Sequence, residues 1–234
     1  MSKTFTFGYA LIASLALPSA GAAVAAEQTS QAGQTAQTTT QPAAQTAQLG
    51  PQELVTKVAQ DTLKDLDAHR AEYKKDPKRV RQLVDKNMLP HFDTKYAAQL
   101  VLGKHWRDAT AQQRERFVEA FYQSLLQNYG EALLEFTPDR LRILPFQGKA
   151  EDKVATVRSE VRRDNGSRVP VNYSLRRTPN GWKAYDVQIE GVSYVKSFRT
   201  DFNAEIQQKG LEPVIQRLES QIESGTVQKP TAKS

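Results

Sequence analysis

The apolar positions of this chain follow a helical period first, a strand period next and a helical period again. Leu54, Val58, Thr62 and Leu66, joined by Val55, Leu63 and Tyr73, predict one long amphipathic helix with Pro51 at its first position. Asp76-Pro77 restarts a helix as cap and first residue, with Val80, Leu83 and Val84 inward and an end near Leu89-Pro90. Asp93 opens a third helix carrying Tyr96, Leu100 and Val101, and Gly103 stops it. Thr110 and Gln113 form a capping box ahead of the central helix. Along it Phe117, Phe121, Leu125 and Tyr129 recur every four residues, flanked by Val118 and Leu126.

At Leu141 the period drops to two. Leu141, Ile143 and Phe146 suit a first strand, and Ala155, Val157, Ser159 and Val161 share one face of a second. Asp164-Asn165-Gly166 predicts a hairpin, after which Val169, Val171, Tyr173 and Leu175 line one face of the return strand. Pro179-Asn180-Gly181 makes the next turn, and Tyr185, Val187 and Ile189 line a fourth strand that Gly191 ends. Ser193 caps a helix with Tyr194 or Val195, Phe198, Phe202 and Ile206 inward. After Gly210, a last helix carries Val214, Ile215, Leu218 and Ile222. The pattern predicts a single α+β domain over 49–224, with helices covering one face of a four-stranded antiparallel sheet.

The ends of the chain read differently. Residues 1–26 resemble an export signal peptide: Lys3, an apolar run from Phe5 to Leu17 too short to span a bilayer, Pro18, and small residues offering cleavage at Ala23-Val24-Ala25 or Val24-Ala25-Ala26. A retained membrane anchor is the alternative. Residues 27–48 are almost entirely Gln, Thr and Ala and predict a disordered linker, because they bury too little apolar surface to offset their ordering entropy. Residues 225–234 form a polar, flexible tail. An exported protein residing in the periplasm is expected.

The chain has no cysteine, which excludes thiol catalysis, zinc–cysteine sites and a lipoprotein anchor. The formal charge of +6 is a mild basic excess, and the basic residues are scattered rather than clustered as a nucleic-acid reader requires. His69, His91 and His105 have no metal-ligand spacing, and neither HExxH nor GxSxG occurs. Asp186 and Glu190 lie four apart on a strand, where they could mimic a carboxylate pair, but the preferred reading is structural: Asp186 anchors a turn or a strand-edge backbone group and Glu190 braces the Gly191 bend. No enzyme and no cofactor or metal is expected.

Several fragments in order carry a family resemblance. They are Leu102-Gly103-Lys104-His105-Trp106, then Thr110-Ala111-Gln112-Gln113-Arg114 leading to Phe117, Phe121 and Tyr129, and Val171-Asn172-Tyr173. Gly181-Trp182-Lys183-Ala184-Tyr185-Asp186-Val187, Glu190-Gly191-Val192-Ser193 and Lys209-Gly210 complete the series. From Pro51 to Ile222 the chain resembles the MlaC-type periplasmic phospholipid-binding proteins, also called the toluene-tolerance or ABC-transporter auxiliary family. The resemblance implies an NTF2-like cone: helices on a curved sheet around an internal apolar cavity that takes the acyl tails of a glycerophospholipid. It implies a monomeric carrier between an inner-membrane ABC transporter with an MCE-domain subunit and an outer-membrane lipoprotein–porin complex, maintaining outer-membrane lipid asymmetry. Bound phospholipid would be cargo, not cofactor.

On that reading Val171, Tyr173, Tyr185, Val187 and Ile189 form one cavity wall, and Val101, Trp106, Phe117 and Phe121 the opposing one. Val192, Tyr194 and Phe198 close one end, and Lys95, Lys104 and Arg158 flank the mouth near the headgroup. Ordinary core packing is the alternative for each apolar residue, and a solvated surface charge for each basic one. A periplasmic chaperone or adaptor binding an apolar peptide is the rival function; it requires an open groove instead of an enclosed one.

Overall fold

The structure is a computed structural model that describes residues 49–149 and 151–225. The leader, the linker and the tail beyond Gly225 lie outside the described residues. Helix α1 (Pro51–Lys75) starts where proline suits the first turn, and the Glu53 carboxylate accepts the Gly50 N–H at 2.9 Å. Non-helical dihedrals at His69 break its regularity, so the predicted single helix carries a kink. Asp76 caps α2 (Pro77–Asn87) through the Lys78 N–H, and Asp93 caps α3 (Thr94–Leu102) through the Tyr96 N–H, each at 3.0 Å. A 3₁₀ turn at Leu89–His91 joins those two helices.

The short α4 (His105–Asp108) leads into α5 (Ala111–Tyr129), where Thr110 and Gln113 cap each other reciprocally at 3.1 Å. Further 3₁₀ turns, Gly130–Glu135 and Pro138–Arg140, precede the sheet. Its strands are β1 (Leu141–Ile143), β2 (Val154–Arg162), β3 (Arg168–Thr178), β4 (Gly181–Ile189) and β5 (Val192–Ser193). They form one antiparallel sheet in chain order. Helices α6 (Tyr194–Lys209) and α7 (Leu211–Ser224) follow. Among the described residues no helix is long and apolar enough to cross a membrane.

The sheet therefore has five strands, not the four expected. Glu190 and Gly191 both have positive φ, 52° and 83°, and make a two-residue turn that folds Val192 back against Ile189. A strand of two residues has no alternation to betray it. Phe146 also falls outside β1: its N–H donates to the Gln52 side chain of α1 at 2.7 Å instead.

A register shift between Ser174 and Leu175 makes Tyr185 an extra residue in β4. Ala184 then opposes Leu175, Asp186 opposes Ser174, and Val187 opposes Tyr173. Trp182 joins the inner face, buried with Leu54, Ala155, Val157 and Leu175. Tyr185 leaves the row expected to hold it with Val187 and Ile189. Its ring meets Tyr96 of α3 edge-on at 5.1 Å, and the Arg176 guanidinium lies 4.2 Å above that same Tyr96 ring.

Asp186, displaced by the same bulge, becomes the joint between sheet and helix. Its buried carboxylate accepts the Ser193 hydroxyl at 2.6 Å and the Val195 N–H at 3.0 Å. Ser193 in turn accepts the Lys196 N–H at 3.1 Å, so two linked acceptors cap α6. Farther out, Arg116 of α5 grips Glu212 and Glu219 of α7, and Arg217 of α7 forks onto Glu205 of α6.

Replacing Asp186 by Ala should lower the unfolding free energy by about 2–3 kcal/mol, the sum of a lost cap and an orphaned buried hydroxyl. Urea unfolding followed by circular dichroism measures it, with Asp186→Asn expected between that variant and the parent. For Glu205, burial raises the pKa and the Arg217 fork lowers it further, leaving the carboxyl below its ordinary 4.5. A depressed carboxyl contributes stability that is present above pH 4.5 and lost as pH falls through the folded-state value. The melting-temperature gap between the parent and Glu205→Gln should be open at pH 7 and close by about pH 3.

Candidate functional site

Cross-strand pairing places Ile143, Ser159, Val171, Ile189 and Val192 in one row across all five strands. Val157, Tyr173 and Val187 form the next row on the same inner face. At one end of this face Ala155, Val157, Leu175 and Trp182 are buried beneath Leu54 of α1. Elsewhere on the face Val161, Tyr173, Val187 and Ile189 are half-buried, interspersed with buried Ser159, Val169 and Val171. No residue of β1–β5 belongs to the cluster of buried residues that α3–α7 build among themselves.

Tyr173 is the most telling member of this face. Its side chain keeps reachable surface, yet protein surrounds it closely enough that burial pushes the phenol pKa up, with the Ser159 hydroxyl opposing the shift. Tyr173 packs against the buried cluster beneath α1 while part of its surface stays reachable. Ser159 itself is 1% exposed and donates to the Val171 carbonyl at 2.8 Å, so its own polar group is satisfied.

Helix α5 divides in the same way. Phe117 and Phe121 stack at 5.7 Å and meet Phe202 of α6 edge-on, both buried. Every residue from Tyr122 to Tyr129 is only half-buried. Tyr129 meets Tyr194 edge-on at 5.7 Å, and Tyr194 adjoins Phe198 at 6.2 Å. Burial raises the Tyr129 pKa to about 12, with Tyr194 and Asp201 adding to the shift.

The expected site residues are thus distributed unequally. Val171, Tyr173, Val187 and Ile189 come together on the sheet, and Tyr194 and Phe198 come together on α6. Val101, Trp106, Phe117 and Phe121 sit in the solid core of the helical layer, with the Arg114 guanidinium 5.4 Å from the Trp106 ring. Tyr185 stands apart on Tyr96, and Val192 is 56% exposed at the outer strand. Lys95 and Lys104 are exposed. Arg158 pairs with Asn172 on the opposite face of the sheet from Val157 and Ser159. Leu125 and Tyr129, in the C-terminal half of the same four-residue stripe as Phe117 and Phe121, are half-buried, and Tyr129 lies beside the Tyr194 ring.

Asp186 and Glu190 do not act as a carboxylate pair. Asp186 is committed to α6, and Glu190 is exposed in its turn, 3.4 Å from the Arg163 guanidinium. His105 Nε2 faces the Asn203 carboxamide oxygen at 3.0 Å and holds α4 to α6.

Known proteins resemble this chain over most of its described length. The toluene tolerance protein ttg2D of Pseudomonas putida is 34% identical over 162 residues, covering 68% of this chain and 74% of the relative. The intermembrane phospholipid transport system binding protein MlaC of Haemophilus influenzae is 25% identical over 176 residues, covering 74% and 82%. Among solved structures, a phospholipid-binding protein from Ralstonia solanacearum in complex with a phospholipid superposes with a TM-score of 0.70 at 28% identity, covering 76% of this chain and 99% of that one. The family profile described as MlaC protein matches residues 56–220, and the chain belongs to the MlaC family.

Proposed function

We propose that this protein binds a glycerophospholipid in the hollow bordered by Tyr173 and carries it, as the periplasmic binding component of an Mla-type transport system. The enclosed yet reachable Tyr173 is the observation that carries the reading. The similarity to a relative named for intermembrane phospholipid transport and to a structure holding a phospholipid supports the same cargo. Val171, Tyr173, Val187 and Ile189 supply the sheet wall, and Leu125, Tyr129, Tyr194 and Phe198 the helical wall. Val101, Trp106, Phe117 and Phe121 support that wall from behind. The tyrosine rings meet the tails, with the Tyr173 hydroxyl turned to the Ser159 hydroxyl on the sheet.

The need for such a container follows from transfer energetics. At ~0.8 kcal/mol per CH₂ group, an acyl chain of about 16 carbons costs roughly 12 kcal/mol to expose to water. A two-tailed lipid therefore crosses an aqueous gap only inside a carrier offering comparable apolar burial. The protein moves the lipid without transforming it. It works as a monomer between an inner-membrane ABC transporter with an MCE-domain subunit and an outer-membrane lipoprotein–porin complex, and so maintains outer-membrane lipid asymmetry.

Native mass spectrometry of protein purified without detergent should show an added mass matching a diacyl phospholipid, and organic extraction should return that lipid intact. Val187→Glu should lose the added mass while keeping the parent's circular dichroism; a folded variant that retains lipid would displace the wall from β4. Phe117→Ala tests the other half of the assignment. Truncating a fully buried, ring-packed side chain should cost about 3–5 kcal/mol in urea unfolding. Val187→Ala, at the edge of a hollow, should cost about 1 kcal/mol or less.

A further inference from the structure

We propose a second binding site, distinct from the cargo hollow: the groove between the α3–α4 connection and α6 takes a phosphate-type oxyanion. The groove holds about 330 Å³ and is lined by Leu102, Lys104, Arg199, Thr200 and Asn203. It contains two cations and no carboxylate. Among the described residues, neither Lys104 nor Arg199 is held in an ion pair, whereas Arg116 and Arg217 on the same helical layer are each forked onto a glutamate.

Arg199 is positioned rather than free. Its guanidinium lies so close over the chain at Gly103 that an added Cβ there would stand 3.0 Å from Nε and 3.2 Å from Nη2. Gly103 has φ +53°, so glycine meets both the backbone conformation and the close approach. The Asn203 carboxamide oxygen is occupied by His105 Nε2 at 3.0 Å, which leaves its NH₂ group as a donor at the groove. The Thr200 hydroxyl donates to the Lys196 carbonyl at 3.1 Å and shapes the wall.

A forked guanidinium, an ammonium and an amide NH₂ lining one groove supply donors of the kind that suit the several acceptor oxygens of a phosphate group. Two unpaired cations repel each other until an anion sits between them. The groove is lined by residues that flank the rings assigned to the cargo wall rather than by those rings themselves. Arg199 and Asn203 each follow an inward ring, Phe198 and Phe202, by one residue, which is about 100° around the helix.

Isothermal titration with inorganic phosphate tests the site, using the full protein, Lys104→Gln, Arg199→Gln, and Lys74→Gln on the exposed last turn of α1 as control. Saturable binding by the parent and the control, weakened about tenfold in each groove variant and reduced by added salt, is the expected result. Cosedimentation with phosphatidylglycerol and phosphatidylcholine vesicles separates the sources. Vesicle binding that falls in both groove variants assigns the phosphate to a lipid headgroup, and phosphate binding without vesicle binding assigns it to free phosphate. No saturation by tens of millimolar phosphate, or parent-like binding by both groove variants, overturns the proposal. Loss of the copurified lipid mass from a folded Arg199→Gln protein would overturn the separation of the two sites, whereas loss of cargo from the parent itself would count only against the carrier reading.

Discussion

One extra residue in β4 decides what both faces of the sheet do. With Tyr185 inserted opposite the Ser174–Leu175 step, Trp182 and Ala184 face the α1 side at one end of the strand, and Val187 and Ile189 face the same side at the other. Without the insertion the two ends would fall on opposite faces, because side chains alternate with a period of two. The bulge also presents Asp186 to the chain that follows, so the carboxylate that caps α6 is positioned by the irregularity that keeps the inner face apolar. Sheet face and helix placement are consequently one constraint, and the ring pair of Tyr194 and Phe198 is located by it.

The apolar interior is partitioned instead of continuous. One buried cluster joins α1 to the sheet, a second joins α1 to α2, and a third belongs to α3–α7. A layout of this kind forgoes the contacts that would fuse sheet and helical layer into one core, and leaves Tyr173, Val187, Leu125 and Tyr129 half-buried at the cluster margins. Helix-to-helix ties from Arg116 and Arg217 hold the third cluster's helices in place independently of what lies between the layers. Individually such exposed pairs contribute little, but bidentate forks on two sides of α7 fix its direction. A bound lipid would add stability that grows with the logarithm of free lipid above its dissociation constant, since it binds the folded chain and not the unfolded one.

The caps were legible because each is a local hydrogen bond written in adjacent residues: Asp76, Asp93, Thr110 with Gln113, and Ser193 all cap the helices expected of them. Face assignments on β2 and β3 were legible for the same reason, through uninterrupted alternation. Tyr185 and the two-residue β5 were not. A bulge changes the meaning of alternation without changing its appearance, and a return strand closed by Glu190 at positive φ has a turn residue that ordinarily avoids that conformation. The proposed lipid wall was legible only in part, because periodicity reports which side of a helix is apolar and not whether another surface meets it. Phe117 and Tyr129 share one stripe, yet one is buried to 0% exposure and the other stays half-buried.

That difference along a single helix is the physical signature expected of a carrier. A side chain meant only for stability is best packed against its neighbours, since each unfilled gap forfeits dispersion contacts and transfer energy. A side chain meant for cargo must remain unsatisfied by the protein alone, so that the lipid tail supplies the missing contacts and can later withdraw. Packing Phe117 and Phe121 solidly against Phe202 while leaving Tyr122 to Tyr129 half-buried concentrates stability at one end of α5 and, on the proposed reading, reserves the other for cargo. Filling the open end would make a more stable protein and a poorer container, which is the trade-off that keeps such interiors incomplete.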